Sequence, residues 1–148
     1  MAAWWREDPA LEAVEARYGP CIDGGDPTEL FIAELDGRPV GMVQRYLLAD
    51  YPTWSDALRV DDAAGIDYLI GIEELTGMGL GGRIIGEFTN LTFERYQDIA
   101  QIAVGVQQSN RASWRALDKA GFTRVFAGTI ESTDPSDNGP SYLYLRRR

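Results

Sequence analysis

The sequence predicts a mixed α/β domain with helices layered on one sheet, and three observations carry that reading. Residues 65–72 alternate, placing Ile66, Tyr68, Ile70 and Ile72 on one side and Asp67, Leu69 and Gly71 on the other, as a half-buried strand does. A glycine-rich turn, Gly77-Met78-Gly79-Leu80-Gly81-Gly82, leads from that strand straight into an apolar stripe of helical period. The element types then alternate along the chain: helix, hairpin, strand–helix–strand–helix and two closing strands, which is the order of a mixed sheet covered by helices.

The elements follow in order. Asp8-Pro9 reads as an N-cap followed by proline at the first helical position; Leu11, Val14 and Tyr18 recur at helical spacing, and Gly19-Pro20 stops the helix. Residues 30–35 read as a strand, Asp36-Gly37 as a hairpin turn and residues 39–48 as the return strand. Residues 49–64 hold Tyr51, Trp54 and the acids Asp50, Asp56, Asp61 and Asp62, and read as a long loop too polar for the core. A loop of that length in a compact domain is often functional. After the glycine turn, Leu80, Ile84, Ile85, Phe88 and Leu91 form the expected buried stripe. Residues 99–106 read as the next strand. Ser109 or Asn110 caps a second helix, which ends near Lys119 at Ala120-Gly121. Residues 123–130 and 141–147 read as closing strands joined by a loop of Ser, Asp, Pro and Gly.

Composition narrows the chemistry. The 148 residues contain no repeat or linker that would divide them, so one domain over residues 1–148 is expected. Acids outnumber Lys and Arg by 23 to 14, a net charge of −9, which argues against nucleic acid and suits a cationic partner. There is no histidine, and Cys21 is the one cysteine. Ser-His-Asp and Cys-His catalysis, disulfides and zinc-ribbon spacings are thereby excluded, and no metal site is expected. The start, MAAWWREDPA, has neither a basic n-region nor an apolar h-region, and no run approaches the ~20 residues of a membrane helix. A cytoplasmic protein without membrane contact is the expectation.

Glycines between a strand and a helix let backbone N–H groups approach an anion, and the helix N-terminus adds partial positive charge, so phosphate or pyrophosphate is the natural ligand. Gly77-x-Gly79-x-x-Gly82 formally matches a dinucleotide fingerprint, but the next strand ends in Val106-Gln107 without the required acid, and no second βαβ unit is present. A Walker loop would need Gly-Lys-Ser/Thr, which is absent. A turn without ligand is the remaining alternative. Further along, Asn110 can cap a helix and also donate to a ligand amide. Arg115 and Lys119 share a helix face, either as a phosphate-binding pair or as a solvated basic stripe.

Taken together, these spacings resemble the GCN5-related N-acetyltransferase family, and more narrowly its aminoglycoside 6′-N-acetyltransferase branch. The matching stretches are Trp4-Trp5, the helix ending in Tyr18, Gly41-x-x-Gln44, Gly65-Ile66-Asp67, Gly77-x-Gly79-Leu80-Gly81, Lys119-Ala120-Gly121-Phe122 and Gly139-Pro140. The resemblance implies acetyl-CoA as cofactor and a small cationic amine as partner, with the protein a monomer or homodimer. The backbone of Leu69, Ile70 and Gly71 would pair with the pantetheine arm, and an amide there would stabilise the oxyanion. The pyrophosphate would lie on the amides of Gly77, Met78, Gly79, Leu80, Gly81 and Gly82, with Asn110, Arg115 and Lys119 nearby. Asp67 would hold the ammonium and accept its proton, directly or through water. Trp5, Tyr18, Gln44 and Trp54 match substrate positions, where aromatic faces meet sugar C–H surfaces.

The chain also departs from the pattern. Leu117 stands where the family usually has the tyrosine that protonates the departing thiolate, leaving another residue, a water, or no general acid; Tyr142 and Tyr144 are the phenols to consider. Two carboxylates that the branch uses to bind amino groups align with Gly105 and Asn138. Acids of the 49–64 segment, Asp50, Asp56, Asp61 and Asp62, either replace that charge or are simply solvated. The region matching Trp4-Trp5 is normally preceded by a strand and a helix, so the start reads as truncated, misassigned or lacking an edge strand, and an uncovered edge would favour association or an altered sheet. A siderophore hydroxylysine acyltransferase, whose branch usually relies on histidine, and a non-catalytic acyl-CoA-binding module are the alternatives.

Overall fold

Six strands form one mixed sheet in the order β1-β2-β3-β4-β6-β5. The computed structural model describes residues 7–72, 75 and 77–148. Its elements are α1 (Leu11–Ile22), β1 (Glu29–Leu35), β2 (Arg38–Leu47), α2 (Pro52–Leu58), β3 (Ala63–Ile70), α3 (Leu80–Arg95), β4 (Gln101–Gln107), α4 (Arg111–Lys119), β5 (Thr123–Thr129) and β6 (Pro140–Arg147), with short 3-10 turns at Leu48–Asp50 and Pro135–Asp137.

Neighbouring strands are antiparallel except β3 and β4 at the centre, which run parallel. That central pairing covers only Ala63–Gly65 against Gln101–Ala103. From Ile66 onward the two strands part, while β3 stays paired to β2 through Ile70 and β4 to β6 through Gln107. The sheet is therefore split along half its centre, and the split makes the site.

Alternation sends successive side chains of β3 and β4 to opposite faces. On one face Ile66, Val104 and Val106 pack with Ile85 and Phe88 of α3, Leu117 of α4 and Tyr144. On the other, Ala63, Ala103, Leu143 and Ile130 pack with Leu48, Leu58 and Val60. Two glycines allow the close strand pairing this needs. A Cβ at Gly41 would lie 2.2 Å from the Leu69 carbonyl oxygen, and one at Gly65 would lie 2.3 Å from the Tyr46 ring.

The structure corrects three element readings. The helix α1 does not stop at Gly19-Pro20 but runs through Pro20 to Ile22. A proline removes one N–H, and here the last turn continues through Asp23 N–H donating to the Gly19 carbonyl at 2.9 Å before Gly24 turns the chain at φ 79°. Asp8 does not cap that helix at its start: it accepts from the Ala10 amide at 2.9 Å, while the N-cap position is Ala10. Residues 49–64 are not a polar loop, because they include α2, and Leu58, Val60 and Ala63 are core. Their acids occupy the outer face and hid an apolar inner one.

A smaller correction concerns α3. Its buried positions are Ile85, Phe88, Thr89, Thr92 and Phe93, whereas Leu91 is 53% exposed. The threonine methyls complete the stripe, and Thr92 Oγ1 donates to the Phe88 carbonyl at 2.8 Å. Arg45, buried in β2, ties β1 to α3: Nε donates to Glu29 at 2.6 Å and Nη1 to the Leu91 carbonyl at 3.0 Å, and the guanidinium lies over Phe31. Such a satisfied, stacked arginine is structural.

Candidate active site

The split between β3 and β4 opens into a cleft of about 890 Å³, bounded by the glycine turn and α4 at one end and by α1, α2 and the 131–139 loop at the other. Because β4 has moved away, part of the β3 backbone has no strand partner. Gly71 N–H donates to the Val40 carbonyl at 2.9 Å, and the Leu69 carbonyl oxygen faces Gly41, so the odd-numbered residues turn their polar groups toward β2. Alternation then turns those of Tyr68 and Ile70 toward the open side. Of the expected pantetheine set, Leu69 and Gly71 have their main-chain groups committed to β2, whereas Ile70, together with Tyr68, faces the open side.

At the glycine turn, Gly77 and Gly79 have φ of 79° and 81°, and a Cβ on either would meet no atom within 4 Å. Both glycines line the cleft. Gly81 and Gly82 line the cleft too, but they also let α3 approach α4: Cβ atoms there would lie 3.5 Å from the Ala116 Cβ and 3.2 Å from the Lys119 Cβ. Leu80 opens α3, half-buried and outside the cleft lining; the Met78 side chain points to solvent at 73% exposure, so both could contribute only main chain.

Asn110 caps α4 by accepting from the Ser113 amide at 3.2 Å, which settles the choice between Ser109 and Asn110. Arg115 and Lys119 line the same end of the cleft, and neither is ion-paired among the described residues. The cradle of amides, the positive helix end and the two cations suit a pyrophosphate, and the open β3 backbone suits an amide-bearing arm.

The other end is acidic. Asp67 lies on the α2 face of β3, where Gln44 Nε2 donates to its Oδ2 at 2.7 Å. Burial is the main reason that its carboxyl is pushed up to about 6; the Gln44 hydrogen bond opposes the shift, and the nearby Asp137 adds to it. Its surface is only partly covered, so the group is desolvated by the cleft walls yet reachable from the cleft. Burial also raises the Asp137 carboxyl, which accepts from the Ser132 hydroxyl.

Tyr18, buried, donates to Glu7 at 2.8 Å. Arg17 bridges Glu7 and Asp134, the latter at 3.3 Å, which ties α1 to the 131–139 loop. Tyr51 donates to Asp26 at 2.6 Å.

Tyr18, Gln44, Trp54 and Asp67 thus share one end of the cleft, while Trp5 lies outside the described residues. The Trp54 indole covers Gly105, 3.4 Å from where a Cβ would be, so the ring fills the space of a side chain at that position. Asp50, Asp56, Asp61 and Asp62 are exposed and do not line this cleft. Glu7, Asp26, Asp134 and Asp137 do, and the sequence reading missed all four. The only available signal was the acid-rich loop before Gly139-Pro140, one residue from the neutral Asn138.

Residues 1–130 match the model of the acetyltransferase (GNAT) domain. The chain belongs to the GNAT acetyltransferase family. The GNAT chain is 28% identical over 152 aligned positions to the aminoglycoside N(6′)-acetyltransferase type 1 of Klebsiella pneumoniae, covering 100% of itself and 72% of that protein. It is 27% identical to the mycothiol acetyltransferase of Thermomonospora curvata, covering 91% of itself and 39% of that relative.

Among solved structures, aminoglycoside acetyltransferase AAC(6′)-Ib in complex with coenzyme A and kanamycin superposes with a TM-score of 0.84 at 27% identity, over 99% of this chain and 81% of that one. The GNAT fold, N-acetyl transfer and acetyl-CoA as donor therefore apply here. The expectation of a helix-covered mixed sheet agrees with the six strands and four α-helices observed. No helix among the described residues is long and apolar enough to cross a membrane.

Proposed function

We propose that this GNAT domain, spanning residues 1–148, acetylates a primary amine of an aminoglycoside, by analogy the 6′-amine, or of a related cationic aminosugar. The observation that carries the reading is the acceptor end itself. Among the described residues, Glu7, Asp26, Asp67, Asp134 and Asp137 line it, with Arg17 the cation among them and Tyr18 and Trp54 as aromatic walls. One carboxylate would suffice for a monoamine. Several, spread around aromatic faces, suit a ligand with several ammonium groups on flat rings.

Asp137 and Asp134 supply, from neighbouring positions, the charge that Asn138 lacks, whereas the position of Gly105 is answered by an indole and no charge. A substrate with fewer amino groups than the branch usually binds, and more ring surface against Trp54, fits that change.

Acetyl-CoA, when bound, supplies the activated acetyl group. The amide cradle from Gly77 to Gly82 and the cations Arg115 and Lys119 hold its phosphates, while the open backbone of Tyr68 and Ile70 orients its arm. Asp67 binds the incoming ammonium and takes its proton. A carboxyl at about 6 is ionised near neutrality yet a stronger base than an ordinary aspartate, as a general base requires. The donor is a cytoplasmic metabolite, which supports a cytoplasmic site of action.

Release of free thiol from acetyl-CoA, followed with kanamycin-type aminoglycosides, spermidine and simple monoamines, tests the reading. Turnover is expected to favour the aminoglycosides. Equal turnover of monoamines, or none with any aminoglycoside, would overturn the substrate class.

A further inference from the structure

Opposite Asp67, transfer from a thioester leaves a thiolate whose charge must be met by a donor. Leu117 is fully buried among apolar side chains and offers none. Tyr144 is 1% exposed in the same core, Tyr142 packs edge-on against Trp114 and Tyr144, and neither lines the cleft. Of the phenols that do line it, Tyr18 donates to Glu7 and Tyr51 to Asp26, both at the acceptor end. Tyr46 lies on the Asp67 face, its ring against Gly65. That leaves Tyr68.

We propose that the Tyr68 hydroxyl, held by Ser113, is the hydrogen-bond donor to the coenzyme A sulfur. The proposal rests on the acetyltransferase reading of the site and deepens it. Tyr68 follows Asp67 in β3, so the two side chains leave opposite faces of the strand where it separates from β4. Base and donor thereby flank the split from its two sides. Tyr68 Oη lies 2.7 Å from Ser113 Oγ, in the first turn of α4, next to the Asn110 cap at the cofactor end. Both residues line the cleft. Either hydroxyl can donate to the other. With Ser113 as donor, the Tyr68 proton is left to point into the cleft. Burial also raises the phenol well above its ordinary value, so it stays protonated and serves as a donor, never as a base, at working pH.

The step balances without a further reagent. As the amine nitrogen forms its bond to the acetyl carbon, the C–S bond breaks and its electron pair goes to sulfur. One ammonium proton passes to Asp67 and on to water, and a second ends on sulfur to give the free thiol. Tyr68 donates a hydrogen bond to the sulfur while its charge develops and keeps its own proton.

The test reads the thiol itself, in the binary complex with coenzyme A, by titrating the ultraviolet absorbance of the thiolate. A phenol donor stabilises the thiolate, so Tyr68→Phe should raise the bound thiol pKa by about one unit, a tenfold shift, and should weaken coenzyme A binding more at pH values where the thiol is ionised than where it is protonated. Ser113→Ala should give a smaller shift in the same direction, and with acetyl-CoA Tyr68→Phe should lower kcat more than KM. Identical thiol titrations in wild type and Tyr68→Phe would sink the proposal while leaving the acetyltransferase reading intact. Failure of the wild type to bind coenzyme A would remove both.

Discussion

The donor end of the cleft is centred on main chain, from one glycine turn, one stretch of β3 and one helix N-terminus, with the side chains of Tyr68, Ser113, Arg115 and Lys119 around it. The acceptor end is made of side chains contributed by α1, β2, β3, α2, the 22–28 turn and the 131–139 loop. In the proposed reaction the two ends act together, yet they constrain sequence differently. A main-chain site needs backbone conformations, which only a few residue types supply, in a fixed order along the chain. A side-chain site needs charges and rings at points in space, which any nearby segment can provide. On that argument the donor end should hold its pattern more strictly than the acceptor end, where Asp137 adjoins Asn138 and Trp54 covers Gly105. Variants should sort by end: donor-end changes act on coenzyme A binding, acceptor-end changes on the amine.

Asp67 joins the two ends and should give the largest effect. Asp67→Asn keeps an acceptor for Gln44 but cannot take a proton, so kcat should fall roughly 10²–10⁴-fold with coenzyme A affinity unchanged by calorimetry. The same variant should be more stable. The folded carboxyl titrates at about 6 against an ordinary 3.8. This is a raised pKa, so the favourable contribution is complete below the unfolded value and is lost as pH rises through the folded one. The melting temperatures of variant and wild type should diverge between pH 4 and 6 and keep a constant gap above. A variant that is both inactive and less stable would show that Asp67 holds the fold and does not serve the chemistry.

The same titration sets the pH dependence. Wild-type kcat/KM should rise about tenfold per unit as pH increases toward 6 and level off beyond, the limb of a carboxylate that must be ionised. A limb centred near an unperturbed aspartate value would mean that the cleft is wetter than its walls imply.

At the donor end, Gly79→Ala places a Cβ at φ 81° with nothing to collide with, so the effect is strain alone. A non-glycine residue in that region costs about 1–2 kcal/mol, which should weaken coenzyme A binding about tenfold and leave the relative preference among amines unchanged. At the acceptor end, Gly105→Leu displaces the Trp54 ring, already 3.4 Å from a Cβ at that position. It should raise the KM for a ring-bearing amine several-fold and leave coenzyme A affinity alone. If either variant moved the other end's constant equally, the separation would fail.

That separation also explains what was legible beforehand. The alternating strand through Asp67, the glycine turn and the helix cap at 109–110 are local patterns; the turn and the cap stand where their patterns placed them, and the strand begins and ends two residues earlier, at Ala63–Ile70. Helix α2 was hidden because Asp50, Asp56, Asp61 and Asp62 dominate its segment, while the inner face is made by Leu58, Val60 and Ala63 with Trp54 and Ala57 packed against them. Pro20 misled because a proline is compatible with a last helical turn. Leu69 and Gly71 misled because which edge of β3 is free depends on the register with β2, which one strand's sequence does not contain. Glu7, Asp26, Asp134 and Asp137 are brought together from both ends of the chain, so no spacing announces them.

The smallest expected effect tests whether charge at the donor end adds to geometry. Arg115 and Lys119 are exposed, and exposed charges are screened by salt over about 10 Å at 0.1 M. Lys119→Gln should therefore weaken coenzyme A binding only a few-fold at low salt, and Arg115→Gln somewhat more, since a guanidinium can bind a phosphate through two hydrogen bonds. Both differences should shrink as salt is raised, because they are electrostatic, whereas the Gly79→Ala loss should persist, because backbone strain is insensitive to ionic strength. Coenzyme A titrations of the three variants at low and high salt make the distinction. A salt-independent loss on Lys119→Gln would point instead to its aliphatic stem, whose Cβ sits 3.2 Å from where one at Gly82 would be, so that the residue would act by packing α3 on α4 and not through its charge.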